Sequence, residues 1–302
     1  MRGGGQARRR APGSAASARR RCRRRRRSRH GPETLPITRR ARRADPGPVG
    51  PSGAVRSARH HRLDHAFNLR DLGGYRGRAG QTVPWGRLFR ADGLHRVSAA
   101  DVARLQDLGL RTVVDLRTAG EVAATGHLGG EGSPFGWHHR PVLQTTWAER
   151  DLDVDVEPSR FLTDRYLEML DEGRDAVAGL FALLALPASY PLVFHCSVGK
   201  DRTGVMAALI LGVLGVRDDE IAGDYVLSAS VIEQTIAWLD GVAPSKADEL
   251  RALPAAHRAT EPAAILEVLA AVRRDHGSVL GYLRAIGVPF ETIEAVHANL
   301  LG

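Results

Sequence analysis

Cys196 and Arg202 stand six positions apart, and between them lie Ser197, Val198, Gly199, Lys200 and Asp201. Five such residues form a loop short enough for backbone N–H groups to converge on one point above a helix N-terminus, which makes an anion cradle. Arg202 supplies the planar fork that grips two phosphate oxygens, a task a lysine performs less well. At the bottom of the cradle, loop amides, helix dipole and guanidinium would all favour thiolate over thiol at Cys196. A thiolate beneath a bound phosphate attacks phosphorus in line, and water then hydrolyses the cysteinyl-phosphate.

The elements that must position this loop are legible on both sides of it. Leu192, Val193 and Phe194 behind Pro191 predict a short buried strand. Thr203 opens a long apolar run, Val205 to Val216, which predicts a core helix and is too short to span a bilayer. Within the loop, Asp201 precedes Arg202 and is the leading candidate for the general acid. His195 is placed to orient the loop, Ser197, Val198 and Gly199 to line the phosphate site, Lys200 to add charge at its rim, and Thr203 to hydrogen-bond Cys196. Upstream, Thr112 to Arg117 predicts a strand whose carboxyl end presents Asp115 and Arg117 where α/β sheets gather ligands. Asp115 is therefore the second candidate acid, and a salt-bridged strand end is its plain alternative. Ser98 and Asp101 mark a helix start, and a further helix begins near Thr118. Helices are also predicted over 160–170, 175–186 and 218–238, whereas 244–262 reads as polar and broken. Alternating strands and helices give an α/β fold with a mainly parallel central sheet flanked by helices.

The segment HCSVGKDRTG resembles the active-site loop of the protein tyrosine phosphatase superfamily, in which His-Cys, five residues, Arg and Ser or Thr recur. Its Gly199-Lys200-Asp201 variant, together with Asn68-Leu69-Arg70-Asp71-Leu72-Gly73-Gly74, is similar to the bacterial branch that includes mycobacterial and listerial tyrosine and lipid phosphatases. The resemblance implies a domain over 63–302, a helical lid within 225–260, and hydrolysis of phosphotyrosine. It also implies that phosphoserine, phosphothreonine and phosphoinositide head groups are further substrates to consider. No Trp-Pro-Asp, the acid-bearing motif of many relatives, occurs. Asn68, Arg70 and Asp71 are expected to tie a turn or to buttress the phosphate loop.

Charge is divided sharply along the chain. Residues 1–62 hold 20 arginines against Glu33 and Asp45, while the remainder is net −9. The stretch 1–62 lacks the large apolar residues that a core needs and is expected to be a disordered tail. It is either functionless or a contact for nucleic acid or anionic membrane. No apolar stretch follows the arginines as a secretory signal would require. Cys22 and Cys196 are the only cysteines, so a reducing, cytoplasmic setting is expected, with secretion lacking a visible signal as the alternative. Residues 145–157 read as a mobile surface connection. No cofactor is called for, and no His/Cys/Asp set has metal-ligand spacing. Two rivals remain: a rhodanese-like sulfurtransferase, which also sets a cysteine in a strand-to-helix anion loop, and a protein that recognises phosphate without turnover.

Overall fold

The computed structural model describes residues 59–150 and 155–302. Residues 1–58, with Cys22 and most of the Arg-rich stretch, lie outside the described residues. Arg59 is already buried, its guanidinium over the rings of Tyr75 and Trp85. Packing thus begins ahead of residue 63, the start of the domain that the resemblance implies.

Five strands form one sheet: β1 (Arg70–Asp71), β2 (Leu88–Ala91), β3 (Thr112–Asp115), β4 (Gly136–His139) and β5 (Leu192–His195), in the order β1-β2-β5-β3-β4. β1 runs antiparallel to β2 and all other pairings are parallel. The strand that carries the cysteine is therefore central, with Phe194 registered between Arg90 and Val114. Its side chains alternate as a strand's must. Leu192 and Phe194 enter one apolar core and Val193 the other.

The smaller core takes Phe89, Val113 and Leu105 of helix α1 (Ala99–Asp107). Ser98 and Asp101 close a reciprocal capping box at the start of α1, and Asp101 also accepts from the amides of Asp64 and His65. Helix α2 (Ala119–Thr125) starts on a second box, Thr118 with Glu121. The larger core lies against α3 (Pro158–Glu172), α4 (Arg174–Leu184) and α5 (Asp201–Val213). Val205 to Leu211 are all buried, as an apolar run with no polar face requires.

After α5 come α6 (Asp218–Val226), α7 (Val231–Val242), α8 (Pro244–Ala252), α9 (Ala255–Arg258), α10 (Pro262–His276), α11 (Val279–Ala285) and α12 (Phe290–Leu300). The polar, broken stretch expected over 244–262 is thus largely helical. Pro244 and Pro262 occupy first turns, where the missing N–H costs nothing, and Pro254 separates α8 from α9. α7 and α8 enclose a small core of their own, Ile232, Ile236, Leu239 and Ala247, and this core rests on Val198. The surface connection expected over 145–157 is partly anchored, since Trp147 packs on Phe161, Tyr166 and His257. Among the described residues, no helix is long and apolar enough to cross a membrane.

Ser98→Ala leaves the Asp101 amide without its acceptor and should cost about 1 kcal/mol. The corresponding fall in Tm, roughly 2–4 °C for a domain of this size, is measurable by calorimetry; an unchanged Tm would show that the box contributes nothing.

Candidate active site

The loop after β5 is built by disposing of its carbonyl groups. Ser197 O accepts from the Gly93 amide at 3.0 Å, Val198 O from Asn68 Nδ2 at 3.0 Å, and Gly199 O from Asn68 Nδ2 at 3.0 Å and Arg90 at 2.8 Å. Lys200 O takes the Gly204 amide at 2.8 Å and begins α5. In a trans peptide the following N–H points the opposite way. Carbonyls turned outward therefore turn the loop amides toward Cys196, and the Gly199 N–H lies 3.2 Å from its Sγ. Gly199 has φ +70°, and a Cβ there would lie 2.5 Å from Ala91 O. Only glycine fits both the angle and the space. Asn68 thus does what its place in the Asn-Leu-Arg-Asp stretch leads one to expect, and braces the loop from behind.

Arg202, in the first turn of α5, points across the loop to Glu121 on α2. Its NH1 lies 2.5 Å from Oε2 and its NH2 2.9 Å from Oε1, while Ser197 Oγ donates to the same carboxylate. Burial pushes Glu121 upward, but the Arg202 hydrogen bonds and charge outweigh this and hold its pKa at about 2. Arg202 is likewise lowered by burial and raised more strongly by Glu121 and Cys196. Glu121 was not singled out in the sequence. Its one signal is the Thr118-x-x-Glu capping box, and it serves that box with Oε2, 2.8 Å from the Thr118 amide.

Asp201 is the loop acid that remains partly exposed, at 19%. Its Oδ1 accepts from Tyr166 Oη at 2.7 Å, and Tyr166 Oη lies 2.7 Å from Tyr225 Oη. With its own proton given to Asp201, Tyr166 accepts from Tyr225. Burial raises the pKa of both tyrosines, so both remain protonated donors at neutral pH. Two cavities share Val198 as a wall. One of about 140 Å³ is lined by Asp201, Arg202, Trp147, Met169, Ile232 and His257. The other, of about 680 Å³, is lined by Glu121, Ser197, Arg117, Trp238 and Lys246 among others.

Lys200 and Thr203 occupy places other than those read from the sequence, His195 sits behind the loop, and Asp115 takes the second of its two readings. Lys200 is fully buried, not at a rim, because its Nζ donates to His257 O at 2.8 Å and Ala259 O at 2.6 Å, with Asp201 Oδ1 at 3.4 Å. His195 is also fully buried, with Nδ1 3.1 Å from Cys196 O and Nε2 3.7 Å from Asp115, out of reach of a ligand in the loop. Burial pushes it below the usual imidazole range, so it is neutral at pH 7. The Thr203 hydroxyl is buried and has no hydrogen-bond partner, Cys196 included. Asp115 is fully buried and gripped by Arg117 at 2.6–3.1 Å. Burial pushes its pKa up, but the Arg117 hydrogen bonds pull it down to about 2. A carboxylate so held has no proton to give at neutral pH, so Asp115 is a salt-bridged strand end. Among the described residues, no group of three or more His, Cys, Asp or Glu could hold a metal.

A family model described as "Tyrosine phosphatase family" matches residues 61–302. The chain belongs to the tyrosine phosphatase family. Relatives agree with this. A Cupriavidus necator protein named as a tyrosine-protein phosphatase is 37% identical over 60% of this chain and 67% of its own length. A Nostoc commune tyrosine-protein phosphatase is 28% identical over 72% of this chain and 75% of its own. The Mycobacterium tuberculosis triple specificity protein phosphatase PtpB is 28% identical over 80% of this chain and 98% of its own. As a tyrosine phosphatase, the chain acts on phosphorylated substrates, and the sulfurtransferase reading is set aside.

Two outcomes follow for this phosphatase. Gly199→Ala should abolish phosphate release and lower Tm, because the backbone must shift away from Ala91; wild-type turnover would show that the loop tolerates another φ. Asp115 and Glu121 have folded pKa values near 2, below the roughly 4 of an unfolded carboxylate. Their contribution to stability is full above about pH 4 and is lost as pH falls toward 2. Acid unfolding followed by circular dichroism should steepen in that window, and Glu121→Gln should reduce the slope; an equal slope in the variant would place the linkage elsewhere.

Proposed function

We propose that this tyrosine phosphatase hydrolyses phosphate monoesters through a phosphoenzyme at Cys196, with Arg202 as the oxyanion clamp and Asp201 as general acid. The observation that carries the proposal is the outward pairing of consecutive loop carbonyls around a buried, free thiol. The phosphoryl oxygens take the inward amides and the Arg202 fork. Sγ attacks phosphorus as the P–O bond to the leaving group breaks, and the leaving oxygen takes the Asp201 proton. Water then attacks phosphorus, its proton returns to Asp201, and the S–P bond breaks to release inorganic phosphate and the thiolate.

Tyr166 and Lys200 both address Oδ1 of Asp201, which leaves Oδ2 to carry the proton. Glu121 fixes the Arg202 fork between turnovers. Ser197, Val198 and Gly199 line the phosphate site as sequence spacing implies, whereas His195 and Lys200 hold the loop from behind. Phosphotyrosine is the proposed principal substrate. The cavity beside Asp201 and Arg202 is walled by Trp147, Met169, Ile232 and His257, which suits an aromatic leaving group. Phosphoserine, phosphothreonine and phosphoinositides are proposed as secondary substrates, with head-group selection resting on residues other than the buried Lys200. Residues 225–260, which hold α7 to α9, are proposed as the lid. The proposed location is the cytoplasm, where Cys196 stays reduced. The arginines of 1–62 are proposed to hold nucleic acid or anionic lipid. Full-length and 63–302 proteins should then differ in such binding, with the difference fading as salt rises; equal binding would leave the tail without that role.

Cys196→Ser should release no phosphate from a phosphotyrosine peptide while still binding it, and residual turnover would remove Cys196 from the mechanism. Asp201→Asn should slow turnover by about 100-fold or more, most with poor leaving groups. If its rate and the alkaline limb of its pH profile match the wild type, the proton comes from elsewhere.

A further inference from the structure

Building on the reading of Cys196 as nucleophile, we propose that Asn68 and Arg90 are positioning residues. By holding the Val198 and Gly199 carbonyls outward, they aim the loop amides at Sγ and keep Cys196 in its thiolate form.

The connection runs through single peptide units. Val198 O and the Gly199 N–H belong to one planar group. Asn68 Nδ2 lies 3.0 Å from the oxygen, and Sγ lies 3.2 Å from the nitrogen. A donor on the oxygen polarises the N–H at the other end and strengthens its bond to sulfur. The next unit, Gly199 O with the Lys200 N–H, is held in the same way by Asn68 at 3.0 Å and Arg90 at 2.8 Å.

Asn68 cannot flip to offer its oxygen instead. Oδ1 accepts from Arg70 NH1 and Nδ2 lies 3.2 Å from Ser228 Oγ, so a flip would set donor against donor. Arg70 and Arg90 both bind the Asp224 carboxylate, at 3.0 and 2.5 Å. Two guanidiniums and one carboxylate, all buried, leave a net positive charge behind the loop. A neutral brace would fix the backbone equally well, and burying charge is costly. The excess positive charge gains its use if a negative sulfur stands in front of it.

The charged groups around Cys196 can be assigned element by element. Arg90, bonded to Gly199 O, approaches it from β2 and Arg202 from α5; burial and Arg70 lower Arg90 to about 10 against the pull of Asp224, whereas at Arg202 the Glu121 bonds outweigh burial. On the β3 side Asp115 is bound to Arg117, with neutral His195 between that pair and the loop. Glu121 and Asp201 are engaged by Arg202 and Tyr166. Lys200 turns its ammonium away to His257 O and Ala259 O, and Arg70 is bound to Asp224. Arg90 is thus a cation bonded to the loop whose removal alters the field at Sγ without touching the phosphate fork.

The test is the rate of Cys196 alkylation by iodoacetamide in the full chain, read peptide by peptide so that Cys22 is counted separately. Rates are compared at about pH 6.5 and about pH 9.5, on either side of an ordinary thiol. In the wild type the two rates should be similar. In Asn68→Ala and Arg90→Met the rate at the lower pH should fall about tenfold relative to the higher, as expected on losing a hydrogen bond to a charged group. A brace that only stabilises the fold would lower Tm and leave the ratio alone, and that result would overturn the proposal. Asn68→Ala leaves the Arg70–Asp224–Arg90 cluster whole and decides the matter if Arg90→Met does not fold. A wild-type Cys196 that itself reacts like an ordinary thiol would count against the nucleophile reading instead.

Discussion

The structure turns on one constraint: a buried loop can offer its amides to an anion only if its carbonyls find partners elsewhere. Each oxygen from Ser197 to Lys200 has such a partner, drawn from a β2 loop amide, an asparagine side chain, a β2 arginine and the first turn of α5. An unpaired buried carbonyl costs about 1–3 kcal/mol, enough over four residues to collapse a loop that held no ligand. The parallel β2-β5-β3 core brings these partners into register, and Gly199 lets the backbone close on Ala91. Fold and site are in this sense one arrangement of hydrogen bonds.

Charge is organised in pairs around that arrangement. Asp224 lies between Arg70 and Arg90, Asp115 is gripped by Arg117, and Glu121 holds Arg202. Arg202 is the most exposed arginine of these pairs, with 12% of its side chain exposed, and it is the one for whose guanidinium a phosphate can compete with the carboxylate. Lys200 adds a mechanical link. Its ammonium holds two backbone carbonyls next to α9, so the Cys196 loop and the helices above it are joined by a buried cation. Val198, packed beneath α7 and α8, is the apolar counterpart of that link.

Much of this was legible in the sequence because it is local. The strand at 192–194, the helix after Thr203, the Ser98 cap and the loop itself each announce themselves within ten residues. Asn68 was readable as a brace because it sits in a polar cluster beside a Gly-Gly turn. What stayed hidden depends on partners far along the chain. Glu121 reads as a helix cap, and nothing near it points to Arg202, 81 positions on. Lys200 reads as a rim charge because the carbonyls that bury it belong to residues 257 and 259. Asp115 and Arg117 allow two readings at the end of a strand, and only their mutual geometry chooses the ion pair. The helices over 244–262 were obscured by prolines, which mark helix starts as readily as breaks.

The central claim is that phosphorus becomes bonded to Cys196 during turnover. The measurement that reaches it most directly is rapid acid quenching of the enzyme during turnover of a phosphotyrosine peptide, followed by mass spectrometry of the Cys196 peptide. A phosphoryl mass on Cys196 should appear before steady state and decay as substrate is exhausted. A phosphoryl group on another residue, or full turnover with Cys196 never modified, would contradict it.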